Sequence, residues 1–315
     1  MYTFITVFLA LIFIFLSVCF ITFSHTFHTK RNLHATLYQG LDGELDDKKK
    51  KRRSAIETLS SLPYEEVWIK SFDGKRLFAR YYHKSDAAPI IIQLHGYRSM
   101  ALRDFSNAAL ECMELGYNVL LTDERSHGKS EGNIISFGIK ERFDALSWVY
   151  YSRARFSEGS QIFLYGISMG AATALMACEL NLPKSVKGII ADCPFSSPSE
   201  IIKKVSRDRG LPSGLLYPFI KLGAMIFGGF NLERTSPLSA VKKAKIPILL
   251  LHGTEDSFVP ASMSDKIAAA SERAEYVKIK DAPHALSILY DRDLYVSSIK
   301  TFVEKHSKGV TLNEN

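Results

Sequence analysis

The sequence predicts an α/β protein: a mostly parallel, doubly wound sheet with a helical cap insertion, preceded by one transmembrane helix. Three observations carry that reading. Five short apolar runs, "PIIIQLHG", "NVLLTD", "QIFLYG", "VKGIIAD" and "IPILLLHG", look like strands buried on both faces. Helical stretches lie between them, such as 102–115 and 139–151, and strand–helix alternation of this kind builds a parallel sheet covered on both sides. The first residues differ: Tyr2 to Phe23 carries no charge and is long enough to cross a hydrocarbon core as a helix.

Taken in order, residues 1–24 are expected to be an uncleaved single-pass anchor. Nothing basic precedes the apolar run and no A-x-A pattern closes it, as a cleaved signal peptide would require. "LSVC", ending at Cys19, departs from a lipoprotein acylation box at Val18. Residues 25–62 are polar and charged and are expected to form a linker. Lys30 and Arg31, then "KKKKRR" at Lys48–Arg53, place positive charge on the C-terminal flank of the span, which favours a cytoplasmic domain. The net charge of +7 suits a protein close to anionic lipid, while the basic run itself reads as a solvated linker. The rest of the chain mixes both signs and carries no recognition motif, so nucleic acid is not an expected partner.

Residues 63–310 are expected to form the main domain. The composition, 46% hydrophobic and 23% charged, is that of an ordinary globular protein. "EEVWIKS" and "RLFARYY" alternate as strands around a turn at Asp73–Gly74. The strand pattern breaks at about 195–236, where segments such as "GLLYPFIKLGAMIF" suggest a helical cap. Leu216, Phe219, Met225 and Phe227 in that cap would either pack over the sheet or roof a pocket for an apolar acyl chain. Cys19, Cys112, Cys178 and Cys193 have the spacing of neither a disulfide framework nor a zinc site, and read as small buried hydrophobes. No metal-ligand cluster and no cofactor motif is present, so neither is expected.

The chemistry concentrates at strand ends. In "LYGISMGAATAL", Ser168 follows a buried strand and opens a helix, with Gly166 and Gly170 two places away on either side. That is the context of a nucleophile elbow, a turn so tight that side chains at the flanking positions would clash. The helix N-terminus adds partial positive charge at the reacting centre. A serine alcohol needs a base, and the base needs an orienter. "IKDAPHALS" supplies His284 after a short strand, and "LLLHGTEDSFVP" supplies Asp256, in the order serine, acid, histidine. Glu255 and Asp192 are competing acids, whereas His252 and His127 read as structural. The oxyanion donors are expected to be the backbone N–H groups of Met169 and of Tyr97 in "LHGYRSM".

The segments "LHGYRSM", "DERSHGKSEG", "GISMG", "HGTEDSFVP" and "APHA" together resemble the α/β-hydrolase superfamily over about residues 63–306. Their style is similar to bacterial membrane-bound or cell-surface serine hydrolases of the Bem46-like and prolyl-oligopeptidase-like esterase groups. One departure is Ser126, where many such proteins carry glycine. The resemblance implies ester hydrolysis on a small-molecule acyl ester. A peptidase, amidase or thioesterase on the same triad, and a silent hydrolase fold used for binding, are the alternatives. It also implies a cell-surface location, against the cytoplasmic one favoured by the flanking charges; the face of the membrane and the oligomeric state stay open.

Overall fold

The computed structural model describes residues 1–29, 37, 46–156 and 161–307. Two helices lead, α1 (Tyr2–Phe27) and α2 (Asp47–Ser61). Next come β1 (Glu65–Lys70), β2 (Arg76–Tyr82) and β3 (Ile90–Leu94), then α3 (Ala101–Glu114), β4 (Asn118–Asp123), α4 (Glu141–Phe156) and β5 (Ile162–Ile167). After α5 (Met169–Met176) and β6 (Val186–Asp192), two helices interrupt the alternation, α6 (Pro198–Asp208) and α7 (Ser213–Gly223). A π turn (Ala224–Gly228) and α8 (Pro237–Val241) follow. The chain closes with β7 (Ile248–Gly253), α9 (Ser262–Ala269), β8 (Ala274–Ile279), α10 (Ser287–Tyr290) and α11 (Arg292–His306).

The strands form one sheet in the order β1-β2-β4-β3-β5-β6-β7-β8. β1 and β2 pair antiparallel, as do β2 and β4; every other neighbouring pair is parallel. The predicted hairpin therefore forms the antiparallel edge of an otherwise parallel sheet. Side chains one residue apart on a strand point to opposite faces. Ile91, Val119 and Phe163 join Phe105 of α3 and Phe302 of α11 in one core layer. Their neighbours Ile92, Leu120 and Leu164 join Trp148 of α4 and Ile267 of α9 in the other. Both faces are thus covered, and the runs that looked apolar throughout are strands buried on both sides.

A third apolar layer lies over the carboxyl ends of the strands. It gathers Phe23 and Phe27 of α1, Met169, Phe137, and cap residues Ile201, Ile202, Tyr217 and Phe230. Here the structure corrects the expectation that anchor and main domain are separate. The last turns of α1 pack into the domain, with Cys19 and Phe27 fully buried. Gly223 of α7 allows this approach: a Cβ there would stand 2.5 Å from the Cys19 carbonyl oxygen. Phe15 and Phe20 of α1 meet Phe219 and Phe227 of the cap, at ring-centroid distances of 5.5 and 5.2 Å.

The linker expectation needs a second correction. From Asp47 the segment is helical, capped by the Asp46 side chain, which accepts from the Lys49 N–H. Ile56 and Leu59, on one face at i,i+3 spacing, are buried. Arg52 donates to the Arg103 carbonyl and faces Asp104 at 3.5 Å. Only the lysines 48–51 behave as the expected solvated run. Lys30 and Arg31 lie outside the described residues.

Candidate active site

Four strand ends converge at the carboxyl edge of the sheet, where open α/β sheets present their ligands. β5 leads directly into Ser168, whose backbone sits at φ +56° and ψ −114°. This is a costly conformation for a non-glycine residue, of order 1–3 kcal/mol, and it lifts the side chain above the sheet edge. The flanking glycines are required by contact. A Cβ on Gly166 would lie 2.2 Å from the Gly170 carbonyl carbon, and one on Gly170 would lie 1.8 Å from the Leu94 oxygen.

His284, in the loop after β8, places Nε2 2.9 Å from Ser168 Oγ and Nδ1 2.6 Å from Asp256 Oδ2. Asp256 follows β7. Its Oδ1 accepts from the N–H groups of Phe258, at 3.0 Å, and Val259, at 2.7 Å. Burial opposes ionisation of Asp256, but hydrogen bonds from His252 and His284 outweigh it and hold the carboxyl down at about 2. His252 is fully buried, 3.2 Å from Asp256 Oδ2, and bonded to the Val259 carbonyl and the Ser264 hydroxyl, which makes it structural. With Asp256 ionised, His284 takes the tautomer in which Nδ1–H donates to the carboxylate and Nε2 is free to accept from Ser168.

The competing acids are occupied elsewhere. Glu255 is exposed. Asp192 is buried and accepts from Tyr295 Oη at 2.7 Å and from Ser287 Oγ at 3.4 Å, and its burial raises its carboxyl to about 6.

The loop after β3 carries the second predicted donor. Gly96 N–H donates to Asp104 Oδ2, Arg98 N–H to His127 Nε2 at 3.0 Å, and Ser99 N–H back to the Gly96 carbonyl. Among the described residues, no hydrogen bond uses the N–H of Tyr97 or that of Met169. Gly96 is close enough to Ser168 that a Cβ on it would sit 3.5 Å from Ser168 Cβ. His127, expected to pack or cap, does cap this loop. Burial and the adjacent His95 pull its imidazole down to about 3, so it stays neutral and can accept.

A cavity of about 340 Å³ opens over Ser168. Its walls are mainly apolar and include Ile202, Val205, Leu216, Ile220, Phe195 and Phe258. Of the four cap residues considered for a roof, only Leu216 lines this cavity. Phe219 and Phe227 face α1 instead, and Met225 borders a separate hollow with Phe72 and Phe143. α1 supplies a further wall through Ile21, Thr22, His25 and Thr26. Sequence reasoning missed that contribution, because nothing local in an apolar helix signals a partner some seventy residues away.

Cys193, Asp256 and His284 bring potential ligand atoms within 4.8 Å of one another. Both ring nitrogens of His284 are already engaged, and burial pushes the Cys193 thiol well up, so the donor set is poor for a metal ion.

Strand order, elbow and strand-end loops together define an α/β hydrolase. Residues 85–220 match the protein family described as "Serine aminopeptidase, S33". The chain is 29% identical to the YqkD protein of Bacillus subtilis over 222 residues, covering 70% of this chain and 72% of that protein. It is 27% identical over 237 residues to the lysophosphatidylserine lipase ABHD12 of Rattus norvegicus, covering 69% of this chain and 54% of that one. The solved structure of the Pyrococcus furiosus esterase Pf2001 superposes with a TM-score of 0.63 at 25% identity, over 80% of this chain and 94% of the other. The chain has the α/β-hydrolase fold, and the matches support a hydrolase of that superfamily, similar to esterases and lipases.

Proposed function

We propose that this protein is a membrane-anchored serine hydrolase that cleaves carboxylic esters through an acyl-enzyme intermediate. The observation that best supports this is the hydrogen-bonded chain Ser168–His284–Asp256 standing beside the uncommitted N–H groups of Tyr97 and Met169. In this reading Ser168 Oγ attacks the ester carbonyl as its proton passes to His284 Nε2. The developing oxyanion accepts from the Tyr97 and Met169 N–H groups. The intermediate collapses, and the alcohol leaves with the proton from His284. Water then repeats the sequence on the acyl-enzyme and frees the acid. Asp256 stays ionised throughout and stabilises the imidazolium.

The anchor reading rests on α1, an uninterrupted apolar helix containing an 18-residue window of mean hydropathy 3.0. Cap residues Phe219 and Phe227 touch this helix, and Leu215, Met225 and Ile226 are exposed beside them, as suits a face resting on lipid. An amphiphilic acyl ester drawn from that lipid fits the apolar cavity, and the relatives named as lysophosphatidylserine lipases agree with it. The second reading is an aminopeptidase, which the matched family's description favours. It fits less well, because an aminopeptidase must receive a free ammonium group. The cavity wall carries Arg98 and Arg209 and, among the described residues, no carboxylate.

Activity on ester, anilide and thioester probes separates these readings, with the ester expected to be hydrolysed fastest. A p-nitrophenyl ester series from acetate to decanoate, run on the full chain because α1 lines the cavity, tests the acyl site. Burial of about 0.8 kcal/mol per methylene sets a ceiling of about four-fold per carbon in kcat/KM. The expected profile rises over the first few carbons and then levels or falls. A steady decline from acetate would reject the acyl pocket.

A further inference from the structure

We propose that the C-terminal turn of the N-terminal helix holds the oxyanion loop in its working position, with Arg98 and the Tyr97 hydroxyl as positioning groups. The inference rests on the serine-hydrolase reading above and assigns α1 a part in the active site besides anchoring.

The argument begins with the end of a helix. The last carbonyls of α1 have no partner in the next turn and carry partial negative charge. Arg98 Nη2 donates to the carbonyl of His25 at 2.7 Å and to that of His28 at 2.8 Å. Tyr97 Oη donates to the carbonyl of Thr26 at 2.6 Å. Two consecutive residues of the loop thus take three carbonyls at one helix end, with a guanidinium where the dipole favours a cation. The contact extends along the following chain: Thr29 N–H donates to the Asn133 carbonyl and Ile135 N–H to the Phe27 carbonyl. Phe27 meets Phe137, against which the Tyr97 ring stacks at 4.8 Å.

The loop needs such a hold. Arg98 sits at φ +52°, in the left-handed region that a side chain disfavours. Its own N–H is fixed by His127 and that of Gly96 by Asp104, which brackets Tyr97 on both sides. Among the described residues these bonds leave the Tyr97 N–H, between the two fixed neighbours, without an acceptor. Its direction follows the tilt of the peptide between Tyr97 and its neighbours, and the side chains of Tyr97 and Arg98 fix that tilt from the outside. Release from α1 lets a strained backbone relax, and a donor turned away from the oxyanion no longer contributes. Loss of one such donor costs about 10²–10³ in kcat, which bounds the effect of displacing it.

The test uses the full chain in detergent micelles with p-nitrophenyl butyrate as probe, and fluorophosphonate inactivation as a second readout. Arg98→Met is expected to lower kcat about ten-fold, and Tyr97→Phe with Arg98→Met about a hundred-fold, with KM within about three-fold of wild type. Arg98→Lys, which keeps a cation at the helix end, is expected to recover most of the loss. The maximal inactivation rate should fall in parallel with kcat. Unchanged kcat in the double variant would overturn the proposal. So would a raised KM at constant kcat, which would make Arg98 a substrate contact. Should the double variant melt well below wild type, the Arg98→Lys and Arg98→Met pair at wild-type melting temperature decides, and equal kcat in the two rejects the proposal. Absence of wild-type labelling at Ser168 would instead remove the serine-hydrolase reading, and this inference with it.

Discussion

Ser168→Ala is expected to abolish fluorophosphonate labelling and to lower turnover by up to about a million-fold, leaving a small residue of activity. The residue comes from the oxyanion donors and from binding, neither of which needs the hydroxyl. The fold should survive. Alanine meets the same backbone strain at φ +56° as serine does, and the Ser168 N–H to Asp192 carbonyl bond and the Ala172 N–H to Ser168 carbonyl bond are made by the main chain. The hydroxyl itself is spent on His284 alone among the described residues. A melting curve close to wild type, with no covalent adduct by intact mass, is therefore the expected pair of results. An adduct of unchanged stoichiometry on the alanine variant would place the nucleophile elsewhere and defeat the proposal.

The candidate site is legible in the sequence because its chemistry is local. Each candidate side chain lies within a few residues of the end of a strand, and an apolar strand followed by Gly-x-Ser-x-Gly reads as strand, turn and helix from residue types alone. Ser168, Asp256 and His284 are singled out this way, and so are the two N–H donors. What the sequence conceals is contact between distant segments. The α1 carbonyls that receive Arg98 and Tyr97 belong to the backbone, which has no residue-type signal at all. In α2 the apolar positions Ala55, Ile56 and Leu59 are diluted by six successive basic residues, so composition points to a linker although the i,i+3 spacing and Asp46 cap mark a helix. The cap illustrates a different limit. Leu216 and Ile220, four residues apart, share the face that lines the cavity, whereas Phe219 and Gly223 share the face that meets α1. Helical period alone separates these two sets, but which set faces the cavity depends on where α1 lies.

Asp256→Asn is expected to lower kcat by about 10⁴, far more than Glu255→Gln or Asp192→Asn. The hydrogen bonds dictate the outcome. Asp256 Oδ1 is pinned as an acceptor by the Phe258 and Val259 N–H groups, so the asparagine oxygen must take that position. The amide NH2 then falls where Oδ2 was, facing His284 Nδ1 as a donor. The imidazole must accept there and carry its proton on Nε2, where it points at Ser168 and cannot receive the hydroxyl proton. Asp192→Asn disturbs only the Tyr295 and Ser287 bonds beneath the site, and Glu255→Gln changes an exposed group, so both should stay within about ten-fold of wild type. A second measurement checks the same carboxylate. Its folded-state value near 2 lies below the unfolded value near 3.9, so its ionised form stabilises the fold above about pH 4, by an amount on the order of 2–3 kcal/mol. That contribution disappears as pH falls toward 2. The stability gap between wild type and Asp256→Asn should accordingly be full at pH 7 and narrow between about pH 4 and pH 2. A crippled Asp192→Asn beside a nearly active Asp256→Asn would transfer the orienting role to Asp192.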